Sequence, residues 1–135
     1  MGRKFKIDPE KPFFIYDTPG DWQATVLKGG IYDPRGDYIG FVLNEAFDVY
    51  TKQGEWVGNL YIDGRIIRNR NAERPPLLKK LPPVPPKPKL PPRAPLPPIT
   101  GDLGYSKIDV LEWDPEVFKR LSDLVPDVGE ETSDE

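Results

Sequence analysis

The sequence predicts a mainly β protein: four short β-hairpins in a pseudo-symmetric, mini-propeller-like arrangement, then a polyproline segment and one short C-terminal α-helix. Three observations predict it. A twelve-residue pattern recurs three times, without gaps, between residues 15 and 60. Twelve of the 18 prolines lie between Pro75 and Pro98. Near the end, Asp114-Pro115-Glu116 opens an apolar-periodic stretch.

The N-terminal arm, residues 1–12, starts Met1-Gly2-Arg3-Lys4-Phe5-Lys6 and reaches Asp8-Pro9 with no apolar run. This start argues against a signal peptide. Gly2 invites a myristoylation reading, but Lys6 stands where that motif wants Ser or Thr. No segment approaches the roughly 18 apolar residues of a membrane span. A cytoplasmic location is the expectation.

Residues 13–70 hold the repeat. Its copies are Ile15-Tyr16-Asp17-Thr18-Pro19-Gly20-Asp21-Trp22-Gln23-Ala24, Ile31-Tyr32-Asp33-Pro34-Arg35-Gly36-Asp37-Tyr38-Ile39-Gly40 and Val49-Tyr50-Thr51-Lys52-Gln53-Gly54-Glu55-Trp56-Val57-Gly58, each followed by two more aligned residues. They are spaced by 16 and 18 residues, and a worn fourth copy begins 17 residues on at Ile66-Ile67-Arg68, without the glycine. Turn formers ending in Gly between β-rich runs make a hairpin connection. The small residue two after the aromatic lets a neighbouring backbone or ring come close. Lys28-Gly29-Gly30 and Asp63-Gly64-Arg65 link one hairpin to the next. Isolated hairpins are barely stable in water, so these must pack on a shared centre.

The Ile-Tyr-Asp-x-x-Gly-x-aromatic-x-Gly pattern resembles the four-fold β-flower domain, a small bacterial all-β family whose hairpins are set like petals. The resemblance spans 58 of 135 residues. It implies fold alone and carries no catalytic residues over. The pattern is also similar to the Tyr-Asp repeat of large secreted shell proteins, but three copies are too few for such a shell. The fourth petal departs from the flower pattern at Arg68, which leaves the C-terminal segment as a candidate to close it. Recurrence of the aromatics in every copy favours a packing role. The alternative is a carbohydrate- or small-ligand-binding surface built from Trp22, Tyr38 and Trp56.

The connector, residues 71–98, is polyproline II over Pro75–Pro98, because proline fixes φ and biases its predecessor to extended geometry. At about 3.1 Å per residue it reaches roughly 70 Å. Pro82-Pro83-Val84-Pro85-Pro86-Lys87 and Pro88-Lys89-Leu90-Pro91-Pro92-Arg93 fit Pro-x-x-Pro-x-basic, the form that docks on aromatic grooves. Pro82, Pro85, Lys87, Pro88, Pro91 and Arg93 are therefore candidate partner-binding residues. Its leucines and Val84 are more apolar than a spacer requires, which predicts a strap laid on the protein itself or on a partner.

Residues 99–127 begin with a partly alternating run, Ser106 to Glu112, read as a possible strand. Asp114 as N-cap, Pro115 and Glu116 then predict a helix over about 115–125. Trp113 and Phe118 fit a hydrophobic staple. Eleven residues do not hold as an isolated helix, so the face bearing Phe118 and Leu121 must bury somewhere. Trp113, Phe118 and Leu121 complete the partner-binding candidates. Residues 128–135 form an acidic tail.

Charge is segregated. Residues 1–67 carry 8 basic and 10 acidic side chains, residues 68–98 carry 8 basic against Glu73 alone, and residues 99–135 carry 3 against 11. The absence of Cys and His removes disulfides, thiolate metal sites and the commonest general base. No phosphate loop or calcium loop occurs, so no catalytic residue, cofactor or metal is expected. The basic connector lacks aromatics for base stacking, which argues against nucleic acid. The expectation is a non-catalytic protein-interaction or assembly module with a protein partner or a second copy.

Overall fold

The structure, a computed structural model, describes residues 8–119. Its strands are β1 (Phe13–Tyr16), β2 (Trp22–Leu27), β3 (Gly30–Tyr32), β4 (Tyr38–Leu43), β5 (Asp48–Thr51), β6 (Trp56–Leu60), β7 (Ile66–Asn69) and β8 (Lys107–Asp109), followed by α1 (Val110–Trp113). Each strand pairs antiparallel with the next, and the single eight-stranded meander curls into a half-barrel.

The sequence repeat is a structural repeat. In the first three hairpins a register shift just before the tyrosine sets Tyr16 opposite Trp22, Tyr32 opposite Tyr38 and Tyr50 opposite Trp56. The five-residue turns share one hydrogen-bond pattern. The first residue's amide donates to the fifth residue's carbonyl, and the glycine amide donates back to the first carbonyl, all at 2.8–3.1 Å. The first side chain caps the turn: Asp17 and Asp33 through Oδ1, Thr51 through Oγ1, each accepting two backbone amides. Gly20, Gly36 and Gly54 sit at φ 102°, 94° and 93°, where a Cβ is strained, so the turn selects glycine.

Cross-strand pairing also explains the small residue. Ile15 faces Ala24, Ile31 faces Gly40 and Val49 faces Gly58, a large residue against a small one three times. A Cβ at Gly40 would collide with the Tyr50 carbonyl oxygen and lie 3.0 Å from Cε1 of Phe118. The space is occupied by the chain's own C-terminal part. Val110, Leu111, Val117 and Phe118 join Ile15, Ala24, Val26, Ile31, Val49, Val57, Leu60 and Ile66 in one core.

The fourth hairpin is β7 with β8, in register Ile67 to Asp109 and Asn69 to Lys107. The proline-rich connector stands where its turn would be, and Arg70 N donates to Ser106 O at 2.7 Å across the base. The glycine missing from the fourth copy is explained: no tight turn exists there. The glycine turn of this region lies instead in the link from β6 to β7, where Tyr61–Arg65 repeats the two turn bonds with Gly64 at φ 90°.

The C-terminal helix differs from the sequence expectation. Strand β8 leads directly into α1, which Asp109 caps by accepting from Glu112 N, and Asp114 closes the other end. Residues 115–119 follow as turns, and the rest of the expected 115–125 helix lies outside the described residues. Asp109 is both the last strand residue and a capping carboxylate, so it starts the helix one turn earlier than Asp114 would. Trp113 is exposed while Phe118 is buried, and the two rings therefore do not form the expected staple. Among the described residues, no helix is long and apolar enough to cross a membrane.

Candidate functional site

The connector lies on the protein's own sheet and crosses the hairpins in reverse order. It starts at the third, where Leu78 N donates to Gly54 O at 3.1 Å. Arg74 Nη2 reaches the buried Glu55 carboxylate at 2.8 Å beside it. At the second hairpin, Pro82, Pro83 and Pro85 line a cleft with Tyr38, Phe41 and Val42, and the Lys87 stem reaches over Gly36. At the first, the Tyr16 hydroxyl donates to Pro95 O at 2.5 Å, and Pro97 packs over Gly20.

Burial along the connector has period three. Pro82, Pro85, Pro88, Pro91, Ala94, Pro97 and Thr100 are half-buried, and between them only Leu90 is less than exposed. Polyproline II has three residues per turn, so every third residue forms one edge of a three-sided rod. One edge is on the sheet. The other two are exposed except at Leu90: Pro83, Pro86, Lys89, Pro92, Pro95 and Pro98 on one, and Leu81, Val84, Lys87, Leu90, Arg93, Leu96 and Ile99 on the other. Pro83 is at the border of the Tyr38 cleft, and Pro95, Leu96 and Pro98 are at the border of a second cleft beside Phe13, Phe14 and Ile62.

This divides the sequence candidates. Pro82, Pro85, Pro88 and Pro91 form the inward edge, whereas Lys87 and Arg93 are exposed on an outward one. Phe118 is buried in the core and Trp113 stands 63% exposed at the end of α1. Leu121 lies outside the described residues. Trp22, Tyr38 and Trp56 occupy equivalent starts of β2, β4 and β6 on three different hairpins. Trp22 packs edge-on against Phe14 and donates its indole N–H to Ala24 O, and Tyr38 packs edge-on against Tyr32. The Trp22 and Tyr38 rings are thus each engaged with their own hairpin, and Tyr38 also borders the connector cleft.

The base of the strap is pinned by one arginine. Arg70 donates from Nε to Tyr105 O at 2.7 Å, and its guanidinium lies 4.3 Å from the Tyr105 ring centroid and 5.4 Å from that of Trp113. Arg70 and Trp113 border a cleft of about 420 Å³ with Thr18, Arg65 and Asp109. Its buried polar groups serve one another. Asp109 Oδ2 accepts from Thr18 N at 2.5 Å and Thr18 Oγ1 at 2.7 Å, and Arg65 bonds Thr18 Oγ1 and Asp63. The network ties the loop after β1 to β8, and Tyr16 N donates to Gly64 O at 2.9 Å beside it. It holds the loop after the first edge strand to the last edge strand, which is a structural task.

Sequence reasoning counted Leu96 among the connector's apolar residues but assigned no role to Arg70, Tyr105 and Ile99. Reading the connector in steps of three would have separated the proline edge from the aliphatic and basic one. Burial raises the phenol pKa values of Tyr16, Tyr32, Tyr38 and Tyr50, with Tyr32 adding to the effect on Tyr38 and Asp48 to that on Tyr50. These are desolvated packing groups. No family model matches the chain, and no curated protein or solved structure matches it either.

Proposed function

We propose that this protein is a non-catalytic protein-interaction module whose β-repeat head holds a polyproline strap in place for display. One observation carries the reading. Of the seven large hydrophobic side chains exposed among the described residues, five (Leu81, Val84, Leu96, Ile99 and Tyr105) belong to the strap and its exit, Trp113 ends α1, and only Ile62 belongs to the hairpins of the head. The head buries its own apolar side chains, while Leu96 and Ile99 stand 93% and 100% exposed. Apolar groups gathered on one surface segment mark contact sites more often than scattered ones do. The carboxylates that a hydrolase would need act as turn caps at Asp17 and Asp33. The four-fold β-flower resemblance belongs to this reading as well, supported by three equivalent hairpins and a fourth opened by insertion.

The test uses the full chain and a Leu96→Ser/Ile99→Ser variant. Sedimentation reads self-association, and quantitative crosslinking in extract reads partner capture. Loss of at least tenfold of either signal, with the head's amide spectrum unchanged, supports the module. Equal behaviour of the two proteins sinks it.

A further inference from the structure

The period-three burial does more than anchor the strap; it decides which residues a partner can read. A domain that recognises polyproline II takes two edges of the rod into its groove and leaves the third outside. Here the third edge is already on the sheet, occupied by Pro82, Pro85, Pro88, Pro91, Ala94, Pro97 and Thr100. The Pro-x-x-Pro spacing that begins at Pro82 and Pro88 is thus turned inward. A second, offset series remains available, with Pro83 and Pro86, then Pro92, Pro95 and Pro98, at the same three-residue step.

We propose that these two outward edges form a preorganised ligand for a protein domain with an aromatic-walled polyproline groove and an acidic rim; this rests on the interaction-module reading above. Charge picks the rim. Lys89 and Arg93 are exposed on the outward edges, Lys87 is exposed with its amino end over the Gly36 turn, and none makes a salt bridge to a described residue. Shape picks the groove. Pro95-Leu96 and Pro98-Ile99 present adjacent proline and aliphatic faces, the dipeptide unit that fills one aromatic slot. Preorganisation adds to both. The Pro95 carbonyl is held by Tyr16 and the Leu78 amide by Gly54, so the rod is already ordered before a partner arrives. A free peptide would lose that freedom on binding. The outward edges carry no aromatic ring over residues 81–99, which disfavours an oligonucleotide that binds by base stacking.

The experiment titrates the full chain with two purified probes, an SH3-class domain with an acidic specificity pocket and a WW-class domain, by calorimetry. Three variants are compared: Pro92→Ala/Pro95→Ala/Pro98→Ala on the outward edge, Pro85→Ala/Pro88→Ala/Pro91→Ala on the inward edge, and Lys87→Glu/Arg93→Glu. Amide spectra of residues 13–69 check that each head is folded. The expected result is saturable binding by at least one probe, weakened tenfold or more by the outward and charge variants and less than threefold by the inward one. Raising salt should weaken it further, since the rim contacts are exposed. If the inward variant loses most, the partner reads the strap in its detached form and the proposal is overturned. It is also overturned if only the charge variant matters, because the strap is then a polycation. No binding by either probe overturns it too, while the Leu96/Ile99 comparison above still decides the broader reading.

Discussion

Three hairpins of this protein close on a five-residue glycine turn; the fourth closes through the strap. The first three are local. Each is zipped by ladder bonds a few residues apart, and each turn carries its own cap. The fourth needs β7 and β8 to meet across residues 70–106, at a loop-closure cost the others avoid. It recovers that cost through contacts with the rest of the molecule: the strap against three turns, Asp109 against Thr18, and Phe118 over Gly40. Repetition can therefore be opened at one unit if the insertion is itself bound back to the remaining units. The strap and the C-terminal core residues depend on the head, and the head depends on them to fill its interior.

The largest test of that mutual dependence is Gly40→Ala. The added methyl collides with the Tyr50 carbonyl and meets the Phe118 ring at 3.0 Å, and the backbone oxygen cannot swing away. A loss of at least about 3 kcal/mol in denaturant unfolding is expected. Gly101→Ala, on the strap side of the comparison, meets nothing within 4 Å and should stay within about 0.5 kcal/mol of the parent. Equal effects at the two sites would mean that the C-terminal residues do not fill the repeat's interior.

Next in size is Asp109→Ala, at the seam between the fourth hairpin and the first. The substitution removes the acceptor for Thr18 N and Oγ1 and the cap of α1. About 2–3 kcal/mol should be lost. Hydrogen exchange should accelerate at Ile108 and Lys107 well before it does at β4 and β5. Uniform acceleration throughout the sheet would show that the fourth hairpin is no more separable than the others.

Much of this contrast is legible in the sequence, for a definable reason. The first three hairpins announce themselves because one turn geometry demands Gly at the same offset each time, and one packing geometry demands a small residue opposite Ile15, Ile31 and Val49. Arg68 with no following glycine correctly marks the fourth as different, and β8 of the C-terminal segment does close it. The position of the helix is not legible. Asp109 and Asp114 are both adequate caps, and only the pairing of β8 with β7 decides between them. Nor does the string of prolines reveal which edge is inward. The register of a three-fold rod is set by where Leu78 and Tyr16 grip it, tens of residues away in sequence.

A smaller effect separates the two halves of the strap. Gly54→Ala combines the strain of φ 93° with a Cβ 2.9 Å from Leu81 Cδ2 and 3.1 Å from Leu78 N. Gly36→Ala carries the same backbone strain but meets only the end of the Lys87 chain, at 3.3 Å. About 1 kcal/mol is expected at Gly36 and closer to 2 kcal/mol at Gly54. Only Gly54→Ala should release the Leu78 amide to exchange. Release in both variants would mean the strap is gripped along its whole length, not chiefly at its start.

The mildest perturbation is alkaline pH, and it acts on both regions through the same residues. Burial raises the phenol pKa values of Tyr16, Tyr32, Tyr38 and Tyr50 above the ordinary value of 10.0. A raised folded-state pKa means the folded protein holds these protons more tightly than the unfolded chain does. The associated stability is fully present below pH 10 and is lost as pH rises through the folded values. Stability should therefore be insensitive to these groups near neutrality and fall above pH 10. Tyr16 responds at the strap as well, because its hydroxyl proton is the one donated to Pro95 O. Tyr16→Phe keeps the ring but removes that donor, so it should loosen the Pro95 end of the strap at pH 7 while β4 and β5 keep their protection. A tyrosinate titration resolved for Tyr16, Tyr32, Tyr38 and Tyr50 that begins below pH 10, with no loss of fold, would show that these rings are not desolvated.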